Sequence, residues 1–204
     1  MPVRRGVPSL VLTLSVVLAM AVGAPSANAA AVDQVKGGQT ALFVPFADVV
    51  TLANKGINIS PVSPAFLTFN SFQEGPALRF PISGGLVESS TMLGTVDHAG
   101  GMLIQKINPA DGTVTHSLEV NTVRILNGNM LVANAFGLVP APTADLVNAT
   151  WSKDPATGVI HYEADAKVGP ATALVLNTYF ETDAFVANST LGRVKSNIET
   201  KKLL

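Results

Sequence analysis

The sequence predicts a mainly β protein, an antiparallel β-sandwich or barrel-like domain with two short helices. Three observations lead to this fold class. Apolar segments of strand length are separated by clusters of Gly, Pro, Asn and Asp, which favour tight turns. Two other segments carry apolar residues at helical spacing. The chain is 48% hydrophobic, 13% charged and free of cysteine, so we expect a hydrophobic core, not a disulfide framework, to stabilise it.

Three turn clusters predict hairpins between neighbouring strands. The pair Asn127–Gly128 interrupts an apolar segment, and both residue types tolerate the positive φ angles that a two-residue hairpin needs. Residues 108–112 (NPADG) and 154–158 (DPATG) separate two further pairs of strand-like segments. Proline fixes φ and glycine accepts positive φ, so each cluster has a physical reason to turn. Three hairpins in succession predict an antiparallel sheet.

The two helices are expected at residues 45–55 and 170–180. In both segments apolar residues recur three or four positions apart, which places them on one face of a helix. Pro45 and Pro170 begin the segments, and a missing N–H costs nothing in the first helical turn. Gly56 follows the first segment as a C-terminal cap. The apolar faces predict helices that cover an open end or one face of the sheet.

The mature chain reads as a single domain. No linker, low-complexity tract or charged run divides residues 40–200. We therefore expect one β-rich domain over residues 30–204, with its core at about residues 40–198. Residues 30–38 and the pair Lys201–Lys202 are expected to be loosely held.

Residues 1–29 have the pattern of a cleavable signal peptide. The pair Arg4–Arg5 precedes an apolar run at residues 10–22, and residues 27–29 (ANA) have the small-residue spacing of a cleavage site. A membrane anchor is the alternative, but the run is shorter than the ~20 residues that cross a bilayer. We expect cleavage before Ala30 and a secreted or cell-surface protein. No transmembrane segment is expected in its mature form.

The charge balance bears on the partners of the chain. Lys and Arg number 13 and Asp and Glu number 14, a formal net charge of -1. Nucleic-acid binding relies on a cationic excess that displaces counterions from phosphates, so no nucleic-acid partner is expected. Because the chain has no cysteine, it offers no thiolate metal ligand and no thiol nucleophile.

The chain shows no recognisable catalytic or metal-binding motif. No serine lies in a nucleophile elbow, G-x-S-x-G. The pairs Gly84–Gly85 and Gly100–Gly101 lack the spacing of a dinucleotide or phosphate loop. The three histidines, His98, His116 and His161, do not have the close spacing of a zinc motif. We therefore expect a protein that is not an enzyme and holds no metal ion of its own.

Two parts of the chain resemble HtaA-like domains of exported actinobacterial proteins. Residues 80–85 (FPISGG) and residues 94–103 (GTVDHAGGML) are similar to the core of that family, FPI-GG followed by G-(V/I)-x-H-x-G-G-L. Residues 164–180 and 191–194 resemble the closing strand and helix of the pattern. The resemblance covers most of residues 40–198.

The resemblance implies a β-rich, cell-surface module that binds haem. In such modules a tyrosine near the domain start ligates the iron and a histidine supports it. His98 matches that histidine and is the candidate cofactor-binding residue, at the mouth of a pocket. The tyrosine has no counterpart, because Tyr162 and Tyr179 both come late in the chain. A turn histidine that hydrogen-bonds the backbone is the alternative for His98.

These observations predict an exported, non-enzymatic module that binds a hydrophobic ligand, with haem as a candidate, or a cell-envelope partner. Two alternatives remain open, a structural or adhesive surface protein without a small-molecule site, and a hydrolase with a dispersed site. A deep apolar cavity would favour ligand binding, and a filled core with one exposed apolar patch would favour adhesion. A converging Ser-His-Asp or His-carboxylate cluster would favour hydrolysis.

Overall fold

The computed structural model describes residues 32–71, 75–135 and 141–203. Eleven strands and two helices follow one another in this part of the chain. In chain order they are β1 (Val32–Phe43), α1 (Phe46–Asn54), β2 (Ile57–Val62), β3 (Phe66–Ser71), β4 (Gly75–Glu88), β5 (Leu93–His98), β6 (Gly101–Ile107), β7 (Val114–Leu126), β8 (Met130–Ala135), β9 (Ala141–Lys153), β10 (Val159–Val168), α2 (Pro170–Tyr179) and β11 (Thr190–Lys202).

The strands form one antiparallel sheet that closes on itself. Eight strands pair in the order β7-β5-β4-β1-β11-β10-β9-β8, and β8 pairs again with β7. The other three strands extend this ring, because β6 pairs with β7, β2 with β6 and β3 with β4. The predicted fold class, an antiparallel barrel-like domain with two short helices, is confirmed.

Strands β5 and β6 together form one interrupted strand. Both pair with β7, β5 with its last residues and β6 with its earlier ones. The interruption includes Gly100, whose φ is +80° and whose added Cβ would lie 2.5 Å from the backbone nitrogen of Ala65. Glycine is required here because a side chain would meet this neighbouring backbone. A glycine of the HtaA-like motif thus marks a close approach of two chain segments.

The predicted hairpins and helices are confirmed. Asn127 and Gly128, with φ angles of 50° and 63°, connect β7 to β8. The other two turn clusters connect β6 to β7 and β9 to β10. Helix α1 begins directly after Pro45 and is followed by Gly56 with φ +73°, while α2 begins at Pro170.

The expectation of two loosely held ends is wrong. The described part of residues 30–38 belongs to β1, which pairs with β11 on one edge and with β4 on the other. Lys201 and Lys202 pair with Gln34 and Asp33 at the end of β11. The backbone hydrogen bonds of this long-range pairing hold both ends in the sheet.

The interior is packed at one end and hollow at the other. We use the term closed end for the end of the sheet where β1 begins and β11 ends. The mouth end is the one where β1 leads to α1 and β10 leads to α2. Toward the closed end large side chains fill the interior, including Met92, Ile160, Tyr162 and Ile198, none more than 2% exposed. Toward the mouth end the wall encloses a cavity, and both helices lie beside it.

Candidate functional site

The cavity at the mouth end has a volume of about 610 Å³. Its wall is made almost entirely of aliphatic and small side chains from the sheet and from both helices. No charged side chain of the described residues lines it. Ligand pockets of proteins commonly span about 300–1,000 Å³ and are mostly apolar with a few polar groups. The cavity therefore has the size and the chemistry of a site for a small hydrophobic molecule.

The register of the strands shows which residues lie deepest in the cavity. Val44, directly after β1, and Leu42 and Thr40 on β1 line the wall in order from the mouth inward. Thr40 pairs with Phe80 on β4, and Phe80 is the innermost residue that β4 contributes to the wall. His98, at the end of β5, reaches the same level and hydrogen-bonds to Thr40. We call this level, with Thr40, Phe80 and His98, the floor.

Both ring nitrogens of His98 are hydrogen-bonded. Nδ1 lies 3.1 Å from the carbonyl oxygen of Val123, and Nε2 lies 2.7 Å from Oγ1 of Thr40. A carbonyl oxygen only accepts, so Nδ1 carries the proton and Nε2 of the neutral ring accepts from the Thr40 hydroxyl. Burial lowers the pKa of His98 to about 4, although the Val123 carbonyl and the Asp97 charge act in the opposite direction. His98 is therefore neutral at pH 7.

The hydrogen-bond chain continues from His98 to β11. Thr40 Oγ1 lies 2.8 Å from Oγ of Ser196. Because the Thr40 proton points to His98, Ser196 donates to Thr40. All hydrogen-bond donors of these three side chains are thus engaged with protein atoms. The floor offers a ligand only acceptor lone pairs.

Thr40 and His98 resemble the nucleophile and the base of a hydrolase only in part. Thr40 donates to an imidazole whose other nitrogen is held by a carbonyl, but no carboxylate lies behind the ring. Asp97, the neighbour of His98 in sequence, forms an ion pair with Arg124 instead, with Oδ1 2.8 Å from Nε. An imidazole with a pKa of about 4 is a weak base at neutral pH. The described residues therefore lack the Ser-His-Asp arrangement that would have favoured a hydrolase.

The structure places the three histidines apart. His98 is 5% exposed, so it lies at the floor of the cavity and not at its mouth, and it is the last residue of β5. His161 is exposed and lies 2.8 Å from Oδ1 of Asn197. His116 packs edge-on against Tyr179, with ring centroids 5.5 Å apart. In residues 32–71, 75–135 and 141–203, no group of three or more His, Asp or Glu side chains could hold a metal ion.

Apolar side chains surround the mouth of the cavity. Helix α1 contains no buried residue, and its Phe46 is 49% exposed. On β3, Leu67 lines the cavity and is 53% exposed, and on α2, Val175 lines it and is 49% exposed. Neither described helix is long and apolar enough to cross a membrane. The rim, defined by the exposed lining residues Leu67 and Val175, continues the apolar character of the wall to the surface.

The residues that create the cavity were not predicted from the sequence. Ala133, Ala144 and Ala166 point inward from β8, β9 and β10 and line the wall. A larger side chain at these inward positions would occupy part of the space. A run of inward-facing alanines on neighbouring strands is the signal that could have indicated a hollow interior.

The fold is similar to that of two solved proteins. The C-terminal domain of HtaA from Corynebacterium glutamicum matches with a TM-score of 0.56 at 13% identity, over 83% of this chain and 99% of that one. The heme binding protein HtaB from the same organism matches with a TM-score of 0.55 at 10% identity, over 84% and 96% of the two chains. This chain shares their fold. Its sequence matches no known protein family and no curated protein.

The resemblance to HtaA-like domains is thus confirmed for the fold, and the donor set can be compared with haem. Haem presents an iron atom and two carboxylates. His98 has no free nitrogen for the iron, and the wall has no Lys or Arg for the carboxylates. Tyr162 and Tyr179 do not line the cavity and donate to the carbonyls of Gly128 and Ser117. In this arrangement the side chains do not fit a haem ligated through its iron.

Proposed function

We propose that this protein is an exported, non-enzymatic module that binds a hydrophobic small molecule in the cavity at its mouth end. The observation that carries the proposal is the apolar cavity of about 610 Å³. Each Å² of apolar ligand surface removed from water contributes about 25 cal/mol to the free energy of binding. Burial of the ligand in this cavity can therefore favour binding without any polar contact. His98 is the proposed ligand-contacting residue at the floor.

Export is part of the same proposal and rests on the sequence alone. The signal-peptide pattern at residues 1–29 and the cleavage position before Ala30 lie outside the described residues. A secreted or cell-surface location suits a module that collects a poorly soluble molecule. A cell-envelope component is then the natural source of such a ligand.

The proposal is tested by probe binding and by retained mass. The neutral fluorophore N-phenyl-1-naphthylamine should bind the purified protein saturably with an increase in emission. Native mass spectrometry of protein purified from its own host should detect a retained ligand. Ala166→Phe adds a ring inside the cavity and should weaken probe binding at least tenfold. Lys167→Phe adds the same ring on the opposite face of β10 and should leave binding unchanged.

Two results would contradict ligand binding. The first is no saturable probe binding together with no retained mass. The second is equal probe binding by the Ala166→Phe and wild-type proteins when circular dichroism shows both folded. Either result would favour the structural or adhesive alternative, in which the exposed apolar rim contacts another surface protein.

Haem is the second candidate ligand, because HtaB, which shares this fold, is a heme binding protein. A haem titration followed by the Soret band tests it directly. If haem binds through His98, a saturable Soret shift should appear in the wild type and be lost in His98→Ala. The engaged nitrogens of His98 and the uncharged wall argue for no shift. A wild type without a band shift would remove haem as a ligand of this cavity.

A further inference from the structure

We propose that the ligand is an uncharged lipid whose one polar group is a hydroxyl, of the class of long-chain alcohols. This inference rests on the proposed function and specifies the chemistry of the same cavity. Two independent features of the wall lead to it, the placement of charged groups and the direction of its hydrogen bonds.

Charged head groups find no counter-charge among the described residues that line the cavity. The wall carries no charged side chain among the described residues. The lysines near the mouth lie outside the cavity: Lys55 forms an ion pair with Asp183 at 2.8 Å, and Lys106 donates to the carbonyl of Glu181 at 2.9 Å. Lys167 is on the face of β10 opposite to the lining residue Ala166. A carboxylate or ammonium group that loses water without gaining a counter-charge pays a large desolvation cost. The ligand class is therefore uncharged.

The hydrogen bonds of the wall distinguish a hydroxyl from a carbonyl. Besides the hydroxyl of Thr40, the lining hydroxyls are those of Thr143 and Thr172, which donate to the carbonyls of Leu131 and Pro142. Their protons are engaged, so only lone pairs face a ligand. A ligand hydroxyl can donate to these oxygens, whereas an ester or ketone oxygen can only accept and would remain unsatisfied.

Asn58 is the one lining residue whose amide could still donate. It is exposed on β2 and alternates with Ile57 and Ile59, which line the cavity from the same strand. Because successive side chains of a strand point to opposite faces, its amide belongs to the outer face. The interior of the cavity thus favours a ligand that carries a hydrogen-bond donor or a ligand that is a pure hydrocarbon.

A matched set of twelve-carbon amphiphiles tests the ligand class. The displacement of N-phenyl-1-naphthylamine by dodecanol, methyl dodecanoate and dodecanoate is compared at pH 8, with the alcohol and the ester below their solubility limits and dodecanoate below its critical micelle concentration. Dodecanol should displace the probe at concentrations at least tenfold lower than dodecanoate, with the ester between them. Displacement by dodecanoate or the ester at the same or lower concentration than dodecanol would overturn the inference.

A cation introduced at the rim provides a gain-of-function test. Val175→Lys places an ammonium group at the mouth and should improve dodecanoate binding about tenfold without improving dodecanol binding. Leu174→Lys changes the adjacent residue of α2, which is 68% exposed and does not line the cavity. This control should leave both ligands unaffected. An equal response of the two variants would show that a cation at the entrance is not what the carboxylate lacks, and would contradict the inference that a missing counter-charge excludes it.

The two levels of proposal fail in different ways. If no amphiphile and no probe binds, the proposed function is wrong, and the inferred ligand class is wrong as well. If all bind but the carboxylate binds best, a hydrophobic site exists and only the inferred class is wrong.

Discussion

Lowering the pH from 7 to 4 tests whether the folded chain holds His98 as a neutral imidazole. In the unfolded chain the ring has an ordinary pKa of 6.5, whereas burial lowers it to about 4 in the folded state. Between these two values the unfolded chain binds a proton that the folded chain does not. The free energy of unfolding therefore falls as the pH decreases through this window.

The size of this effect follows from the two pKa values. One pKa unit corresponds to about 1.4 kcal/mol, so the change from 6.5 to about 4 amounts to about 3 kcal/mol. The full contribution is present above pH 6.5 and is lost as the pH approaches 4. A domain of ordinary stability has about 5–15 kcal/mol in total, so the loss is large enough to measure.

Urea unfolding followed by circular dichroism at pH 4, 5, 6 and 7 gives the measurement. The wild type should lose about 3 kcal/mol over this range, whereas His98→Leu should start lower and lose far less. Phe80→Leu is the control. The rings of Phe80 and His98 lie edge-on with their centroids 6.4 Å apart, and Phe80 does not titrate. It should lower stability by the same amount at every pH. Parallel wild-type and His98→Leu curves would refute a buried neutral histidine.

Three further predictions concern other parts of the molecule. Lys153→Met should destabilise the domain by about 2 kcal/mol in urea unfolding at pH 7, because Asp33, 1% exposed, loses its ion pair of 2.6 Å and keeps only Ser89 and the charge of Lys202 as partners among the described residues. The double variant with Asp33→Asn should recover most of that loss. Tyr162→Phe should cost about 2 kcal/mol by the same assay, since the carbonyl of Gly128 loses a buried hydrogen bond of 2.7 Å, and an unchanged midpoint would contradict that bond. Amino-terminal sequencing of the exported protein should begin at Ala30, and a start at Met1 would show that no signal peptide is removed.

The local parts of the fold could be predicted from the sequence because their causes are local. Asn127 and Gly128 form a turn through their own tolerance of positive φ, and Pro170 begins a helix because its missing N–H has no partner to lose there. The long-range pairing was not predictable in this way. The start of β1 pairs with residues of β11 that lie more than 160 positions later. The residues around Asp33 and Gln34 therefore carry no local pattern that predicts a strand.

The site was predictable only through one residue. His98 was singled out by its motif, but its partners lie far from it in sequence. Thr40 is 58 positions from His98, and Ser196 is 156 positions from Thr40. The cavity itself depends on small residues from several strands at one level of the sheet, and their coincidence exists only after the sheet has closed. Sequence patterns describe single strands and not this shared level.

The pairing of the first strand with the last determines how the molecule can be tethered. Val32 and Leu203 are joined by a backbone hydrogen bond of 3.3 Å at the closed end, opposite the cavity entrance. Val32 and Leu203 therefore both lie on the side away from the entrance. A fusion partner, an affinity tag or an attachment to a solid support joined directly to Val32 or to Leu203 would hold the domain with its entrance facing outward into the medium. A biosensor made from residues 32–203 can be attached at either of these two residues without obstructing the entrance.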